Sequence, residues 1–158
     1  MSSSDKNLSN FSSSIPDGGN LRVGIVCAEW NSNITDALLK GAISLLEKSG
    51  VDSQNITTLY VPGTFELPYA AQQLAELNEI DGVICIGCVV QGETPHFTFI
   101  CQATAQGIMD VGLKFNKPII FGVLTTNTIQ QAEDRAGGIH GNKGEEAAFS
   151  LLKMLALY

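Results

Sequence analysis

From residue 22 onward, short apolar runs alternate with segments in which apolar residues recur every three or four positions. Residues 22–28 are brief and rich in Val and Ile, which predicts a buried strand. Over 34–49, Leu38, Ala42, Leu45 and Leu46 share one helical face, and Gly50 supplies the stop. Residues 56–61 predict a second strand, closed by Pro62 and Gly63. A helix is expected over 66–77, with apolar residues at 67, 70, 71, 74 and 77. Residues 82–90 form a third apolar run, and 96–115 a long helix with Phe97, Ile100, Thr104, Ile108 and Val111 along one side. Lys117 and Pro118 end that helix. A fourth strand over 119–125, a short helix over 128–135, a break at Gly137 and Gly138, and a closing helix over 145–157 complete the pattern. Residues 1–20 are rich in Ser and Asn, end in Pro16, Asp17, Gly18 and Gly19, and read as a flexible tail; 21–158 read as a single domain.

Strands that are apolar on both faces, each followed by a helix, imply a parallel sheet covered on both sides. In such α/β sheets ligands bind beyond the carboxyl ends of the strands. The residues just after each strand are therefore where chemistry is expected.

Charge narrows the partners. The net charge is -7, the sequence pI is about 4.6, and no basic run appears, so a nucleic-acid partner is not expected. An acidic chain binds an anion only where a local cation or free backbone N–H groups overrule the global field. No apolar stretch reaches the roughly 20 residues needed to cross a bilayer. The N-terminal segment has neither a secretory apolar region nor an Arg-rich import pattern, so the expected location is the cytoplasm.

Cys85 and Cys88 spell C-x-x-C, but inside a strand two residues three apart point to opposite faces. They cannot grip one metal, and no second Cys or His pair completes a site. All four cysteines, Cys27 and Cys101 included, read as buried, inert thiols.

Four strand-end segments carry candidate chemistry. Trp30 follows the first strand; its ring can stack on a heteroaromatic ligand or merely plug the sheet edge, and the sequence leaves both open. Gly63, Thr64, Phe65 and Glu66 lie at a helix start, whose free N–H groups either meet a ligand's carbonyls or take an ordinary cap from Thr64. In the stretch 92–96, Gly92 permits close backbone approach, and Pro95 fits a first helical turn. The N–H groups near Glu93 and Thr94 then open on an anion site. His96 stands beside it, and an imidazole, with an ordinary pKa of about 6.5, suits proton shuttling near neutrality. Arg135 is one of few cations; its fork can hold phosphate, or sit solvated at a helix C-terminus.

Other motifs fail. The stretch 137–144 is Gly-rich and contains Lys143, but it lacks P-loop spacing and no strand precedes it. No G-x-G-x-x-G follows the first strand, so a dinucleotide cofactor is unsupported. His140 reads as structural.

Taken in order, Ala28-Glu29-Trp30-Asn31, Pro62-Gly63-Thr64-Phe65-Glu66-Leu67-Pro68, the run from Gly87 to Phe97, Gly122 to Asn127, Arg135-Ala136-Gly137 and Gly141-Asn142-Lys143-Gly144 resemble the 6,7-dimethyl-8-ribityllumazine synthase family. The resemblance runs from about residue 21 to the C-terminus. It implies a flavodoxin-like three-layer fold with a four-stranded parallel sheet, which an N-terminal strand from a neighbouring subunit extends. It implies two small-molecule substrates, 5-amino-6-(D-ribitylamino)uracil and 3,4-dihydroxy-2-butanone 4-phosphate, joined without cofactor or metal. Carried over, Trp30 stacks on the pyrimidine; Thr64, Phe65, Glu66, Cys88, Val89 and Val90 read the ring and ribityl edges; and Phe121 completes the pocket from a neighbour. Glu93, Thr94 and Arg135 hold the phosphate, and His96 is the general acid–base. The family assembles as homopentamers, some members as sixty-subunit shells, and riboflavin synthase is an implied partner.

This chain departs from the family pattern in a few places. Trp30 stands where many members have Phe, Gln91 where many have Arg, and Pro95 where many have Thr or Ser. Ile139 and His140 occupy a loop that often carries Lys. A binding protein for flavin or lumazine, or a shell-forming subunit without catalysis, is the alternative expectation.

Overall fold

A computed structural model describes residues 11 and 14–157. Its elements follow the alternation read above: β1 (Val23–Ala28), α1 (Ser32–Lys48), β2 (Ile56–Val61), α2 (Leu67–Ala75), β3 (Gly82–Val90), α3 (His96–Phe115), β4 (Ile119–Thr126), α4 (Ile129–Glu133), β5 (Ala136–Gly138), β6 (Gly141–Asn142) and α5 (Lys143–Leu155). The main sheet is parallel, in the order β2-β1-β3-β4. Helices cover both faces, giving the three-layer flavodoxin-like arrangement.

Each face has its own core. Ile25, Cys27, Ile84, Ile86 and Cys88 pack with Leu38, Leu45 and Leu46 of α1 and Leu151 and Leu152 of α5. Val26, Val83, Cys85 and Val123 pack with Leu67, Ala71 and Leu74 of α2 and Ile108 and Val111 of α3. Cys85 and Cys88 thus lie on opposite sides of the sheet, as strand alternation requires.

Several details differ from the sequence expectation. Cys101, expected to be buried, is only partly so, and α1 begins two residues earlier than expected. Only the last residue of β2 is buried, because β2 is an edge strand paired with β1 alone. The break at Gly137 and Gly138 is a small hairpin, β5-β6, with positive φ at Gly137 and Gly141. The helix predicted over 66–77 is shorter, and a 3-10 turn, Thr64–Glu66, precedes it. The tail expected over 1–20 lies largely outside the described residues. Within it, Phe11 stacks on Phe149 of α5 at 4.3 Å between ring centroids, and the Gly18 N–H donates to the Ser49 carbonyl at 2.7 Å.

The hairpin is locked to α1 by one side chain. Asn142 accepts the Gly144 N–H at 2.8 Å, capping α5, and donates to the Ala37 carbonyl at 3.0 Å. At Gly144 the two helices touch backbone to backbone, so a Cβ there would be driven into the Leu38 carbonyl. Gly144→Ala is therefore expected to cost about 2 kcal/mol or more through overpacking, a Tm loss of roughly 4–8 °C for a chain of this size by thermal melting.

Burial pushes the Cys27 thiol up to about 11, Cys85 to about 12 and Cys88 to about 11, from an ordinary 9.0. At Cys27 a hydrogen bond with Thr35 opposes the effect of burial and the nearby Asp36 charge adds to it. Because the folded values are raised, the stability these thiols contribute is complete below pH 9 and is lost as pH climbs through 11. In the native protein at pH 8 all three are expected to resist iodoacetamide, and all are expected to react in denaturant; mass spectrometry of the digested protein reads the difference.

Candidate active site

The crossovers change direction between β1 and β3: the chain goes from β1 to β2 on one side, then to β3 on the other. A crevice is expected beyond the carboxyl ends of these two strands. The ladder between them ends at Cys27 opposite Ile86, whereas β3 stays paired with β4 as far as Val90 opposite Thr126. Past Ile86, then, the edge of β3 that faces β1 has no strand beside it.

Three segments wall that gap. The first is the loop after β1, which follows the end of β2: the N–H of Glu29 donates to Val61 at 2.8 Å and that of Trp30 to Pro62 at 3.1 Å. Asn31 then adopts a left-handed conformation, φ 59°, and α1 begins at once. Its amide Nδ2 donates to the Cys88 carbonyl at 2.9 Å.

The second wall is the turn Thr64–Glu66. Glu66 bends back so that Oε2 accepts the Gly63 N–H at 3.0 Å, which uses one carboxylate oxygen and leaves the other outside that bond. Thr104 of α3, only 1% exposed, donates its hydroxyl to the Thr64 carbonyl at 3.3 Å. Gly63 makes room for Trp30: a Cβ there would stand 2.8 Å from the indole Cε3. The indole itself is 68% exposed and Phe65 56% exposed, an unusual state for large aromatic rings.

The third wall is the end of β3, Cys88 to Val90, together with the start of α3. His96 is the first residue of α3 and is exposed, and Ile100 follows one turn later. Together the walls enclose an open slot of about 530 Å³. Of the residues expected at the site, Trp30, Thr64, Phe65, Glu66, Cys88, Val89, Val90 and His96 line it.

Four do not line it in the single chain. Phe121 is on β4 opposite Cys85 and packs against the core beneath α2 and α3. Glu93 and Thr94 are exposed in the loop ahead of α3. Arg135 follows α4, is half-buried, and donates from Nη1 to the Gln131 carbonyl at 2.9 Å; its own carbonyl accepts the Lys143 N–H at 2.8 Å. Lys143 in turn pairs with Glu146 at 2.6 Å. Gln91 folds its side chain onto the Gly92 carbonyl at 2.9 Å.

Two lining residues, Asn31 and Ile100, were not singled out by the sequence reading. Ile100 carried a signal, since it lies four residues after His96 on the same helical face. Asn31 carried a weaker one, an Asn after a strand, which tolerates a left-handed turn. Among the described residues no cluster of His, Cys, Asp and Glu is arranged to hold a metal ion.

The slot suits a flat heteroaromatic ligand. An indole offers a ring face, the sheet end an apolar floor, and the backbone at 64–66 and 88–90 polar edges. At one end an imidazole stands where it can exchange protons with a bound group and with water.

Comparison with known proteins agrees with this geometry. The family model for 6,7-dimethyl-8-ribityllumazine synthase matches residues 20–158. A 6,7-dimethyl-8-ribityllumazine synthase of Cytophaga hutchinsonii is 59% identical over 156 residues, covering 99% of this chain and 98% of that one. Proteins of the same name from Porphyromonas gingivalis and Parabacteroides distasonis are 56% and 52% identical, the first covering 99% and the second 98% of this chain, and each alignment spanning 98% of the relative. With the match running through every wall of the slot, the chain belongs to the 6,7-dimethyl-8-ribityllumazine synthase family.

Proposed function

We propose that the chain is a transferase that condenses 5-amino-6-(D-ribitylamino)uracil with 3,4-dihydroxy-2-butanone 4-phosphate, releasing phosphate and water, in the penultimate step of riboflavin biosynthesis. The observation that carries this reading is the slot itself: one indole face, two backbone segments and one imidazole converge at the switch point of the sheet. In a binding-only protein the imidazole at that position would be incidental, whereas the relatives compared above carry the synthase name.

In this reading the pyrimidine lies against Trp30, and its edges meet the backbone of Thr64 to Glu66 and of Cys88 to Val90. The amine attacks the ketone and the adduct loses water to give the imine, the imine loses phosphate, and the ring closes with loss of a second water. Each step moves a proton, which His96 gives or takes. Arg135, with Glu93 and Thr94, receives the phosphate. Neither cofactor nor metal takes part. Holding two substrates together supplies much of the acceleration, since effective molarity alone is worth roughly 7–11 kcal/mol in favourable cases.

The site is completed by a second copy of the chain. Tyr69, Phe99 and Leu113, on α2 and α3, are 71%, 66% and 75% exposed, which no isolated chain gains from. Phe121 is off the slot of its own chain and would enter a neighbour's. A homopentamer arranged this way puts each slot at an interface, and the open edge of β2 is available for a neighbour's N-terminal strand. Residues 21–158 act as the catalytic domain, and the enzyme works in the cytoplasm. Among the described residues no helix is long and apolar enough to cross a membrane.

The direct assay mixes the protein with both substrates and follows lumazine fluorescence against the uncatalysed reaction. His96→Ala is expected to lower kcat by no more than about 10²-fold, the low end for a positioned acid–base, because positioning survives. Arg135→Ala is expected to raise the KM for the phosphate substrate about tenfold or more and to leave the KM for the pyrimidine unchanged. No rate above background in the parent protein overturns the reading. Light scattering tests the assembly, and a monomer would overturn the shared site.

A further inference from the structure

We infer that Asn31 is a positioning residue for the pyrimidine, one that sets the width of the slot by holding the Trp30 loop to the end of β3. This rests on the proposed reaction, but the observations behind it are those of the fold.

β3 continues beyond its last pairing with β1, so its peptide groups on that side lose their partners. A parallel ladder alternates sides residue by residue; Val83 and Gln91 donate towards β4, to the Pro118 and Thr126 carbonyls, so Cys88 and Val90 face β1. The Cys88 carbonyl is the first acceptor that β1 no longer serves. The Asn31 amide occupies the place of the missing strand, at 2.9 Å. It does so only because Asn31 is left-handed, φ 59° and ψ 45°, so that the chain doubles back into α1 instead of extending β1. A left-handed non-Gly residue costs about 1 kcal/mol or more, and Asn bears it best because its short amide bonds locally.

The consequence falls on the two surfaces that would grip a planar ring. Trp30 precedes Asn31, and Val89 and Val90 follow Cys88. The bond therefore joins the base of the aromatic wall to the base of the backbone wall. Besides it, the Asn31 carbonyl accepts the Ile34 and Thr35 N–H groups at the start of α1, and the rest of the loop is held by the backbone bonds of Glu29 and Trp30 to the end of β2 and by the contact of the indole with Gly63. Those anchor the loop to the far side of the slot, away from β3. The amide is the tether on the near side, and no charged or titratable group takes part in it.

The test uses two variants that keep the left-handed turn accessible. Asn31→Gly removes the tether, and Asn31→Asp keeps its shape but cannot donate while ionised. Both are expected to raise the KM for the pyrimidine about three- to tenfold, the worth of one hydrogen bond, with the KM for the phosphate substrate within twofold. A general loosening of the chain would move both constants together. A pyrimidine KM within twofold of the parent in both variants, or parallel changes for the two substrates, overturns the inference. A second readout needs no chemistry: amide hydrogen exchange in the ligand-free protein. In Asn31→Gly, exchange is expected to quicken at residues 29–31 and 88–90 and nowhere else in the sheet. Unchanged exchange there overturns the tether whatever the protein catalyses. A parent that shows no turnover, with exchange altered as expected in the variant, overturns the reaction and leaves the tether standing.

Discussion

A doubly wound parallel sheet leaves a gap where its crossovers change direction, and here that gap lies between β1 and β3. The gap would be costly if left alone, because buried peptide groups without partners lose about as much as a broken hydrogen bond. The chain answers with side chains instead of strands. Asn31 takes the Cys88 carbonyl, Glu66 takes the Gly63 N–H, and Thr104 reaches across from α3 to the Thr64 carbonyl. Each bond fixes one wall of the slot while leaving the neighbouring backbone groups for a ligand. Stability and binding surface thus come from one unfinished edge.

The electrostatics of the site are local by necessity. The chain carries a net charge of -7, so an anionic substrate finds no long-range attraction. The cation that the proposed reaction would use is Arg135, whose Nη1 donates to the Gln131 carbonyl of its own helix and whose fork offers further donors. The hairpin β5-β6 begins beside Arg135 and ends in Asn142, which ties it to α1 at one end and caps α5 at the other. The cation therefore stands on a braced segment rather than a free loop. Cys88, by contrast, contributes no charge, since burial holds its thiol up at about 11. The floor of the slot stays neutral and apolar.

Most of the layers were legible in the hydrophobic pattern, because strands apolar on both faces and helices with one apolar face follow from burial alone. The misreadings have physical causes. The strand at 56–61 was read from its apolar residues Ile56, Leu59 and Val61, but its edge position, which leaves Leu59 and Tyr60 exposed, depends on strand order and is not written in the pattern. The hairpin was hidden by its glycines, whose positive φ values carry no hydrophobic signal. The start of α1 was placed two residues late, because Ser32 and Asn33 are polar and a left-handed Asn31 is not written in periodicity. Site residues were legible where a strand-end rule pointed at them, as with Trp30, Glu66 and His96. They were not where the role depends on a tertiary bond, as with Asn31, or on a helical turn beyond the motif, as with Ile100. Phe121 lies off the slot, on β4 opposite Cys85, where it packs against the core beneath α2 and α3.

His96 illustrates why an exposed residue can still be well placed. It opens α3, where Pro95 occupies the cap and no side chain caps the helix. Its position is fixed from below: Thr104, eight residues on, is bonded to the turn at Thr64, and the helix between them spans about 12 Å at 1.5 Å per residue. Ile100, on the same face, packs along the slot between them. A rigid helix clamped at its third turn carries the imidazole to the mouth of the slot without burying it. Burial would have lowered the cost of holding the ring still, but at the expense of its exchange with water, which the proposed acid–base role would require. The fold thus assigns rigidity to the backbone that would read the ring, and solvent access to the one group that would move protons.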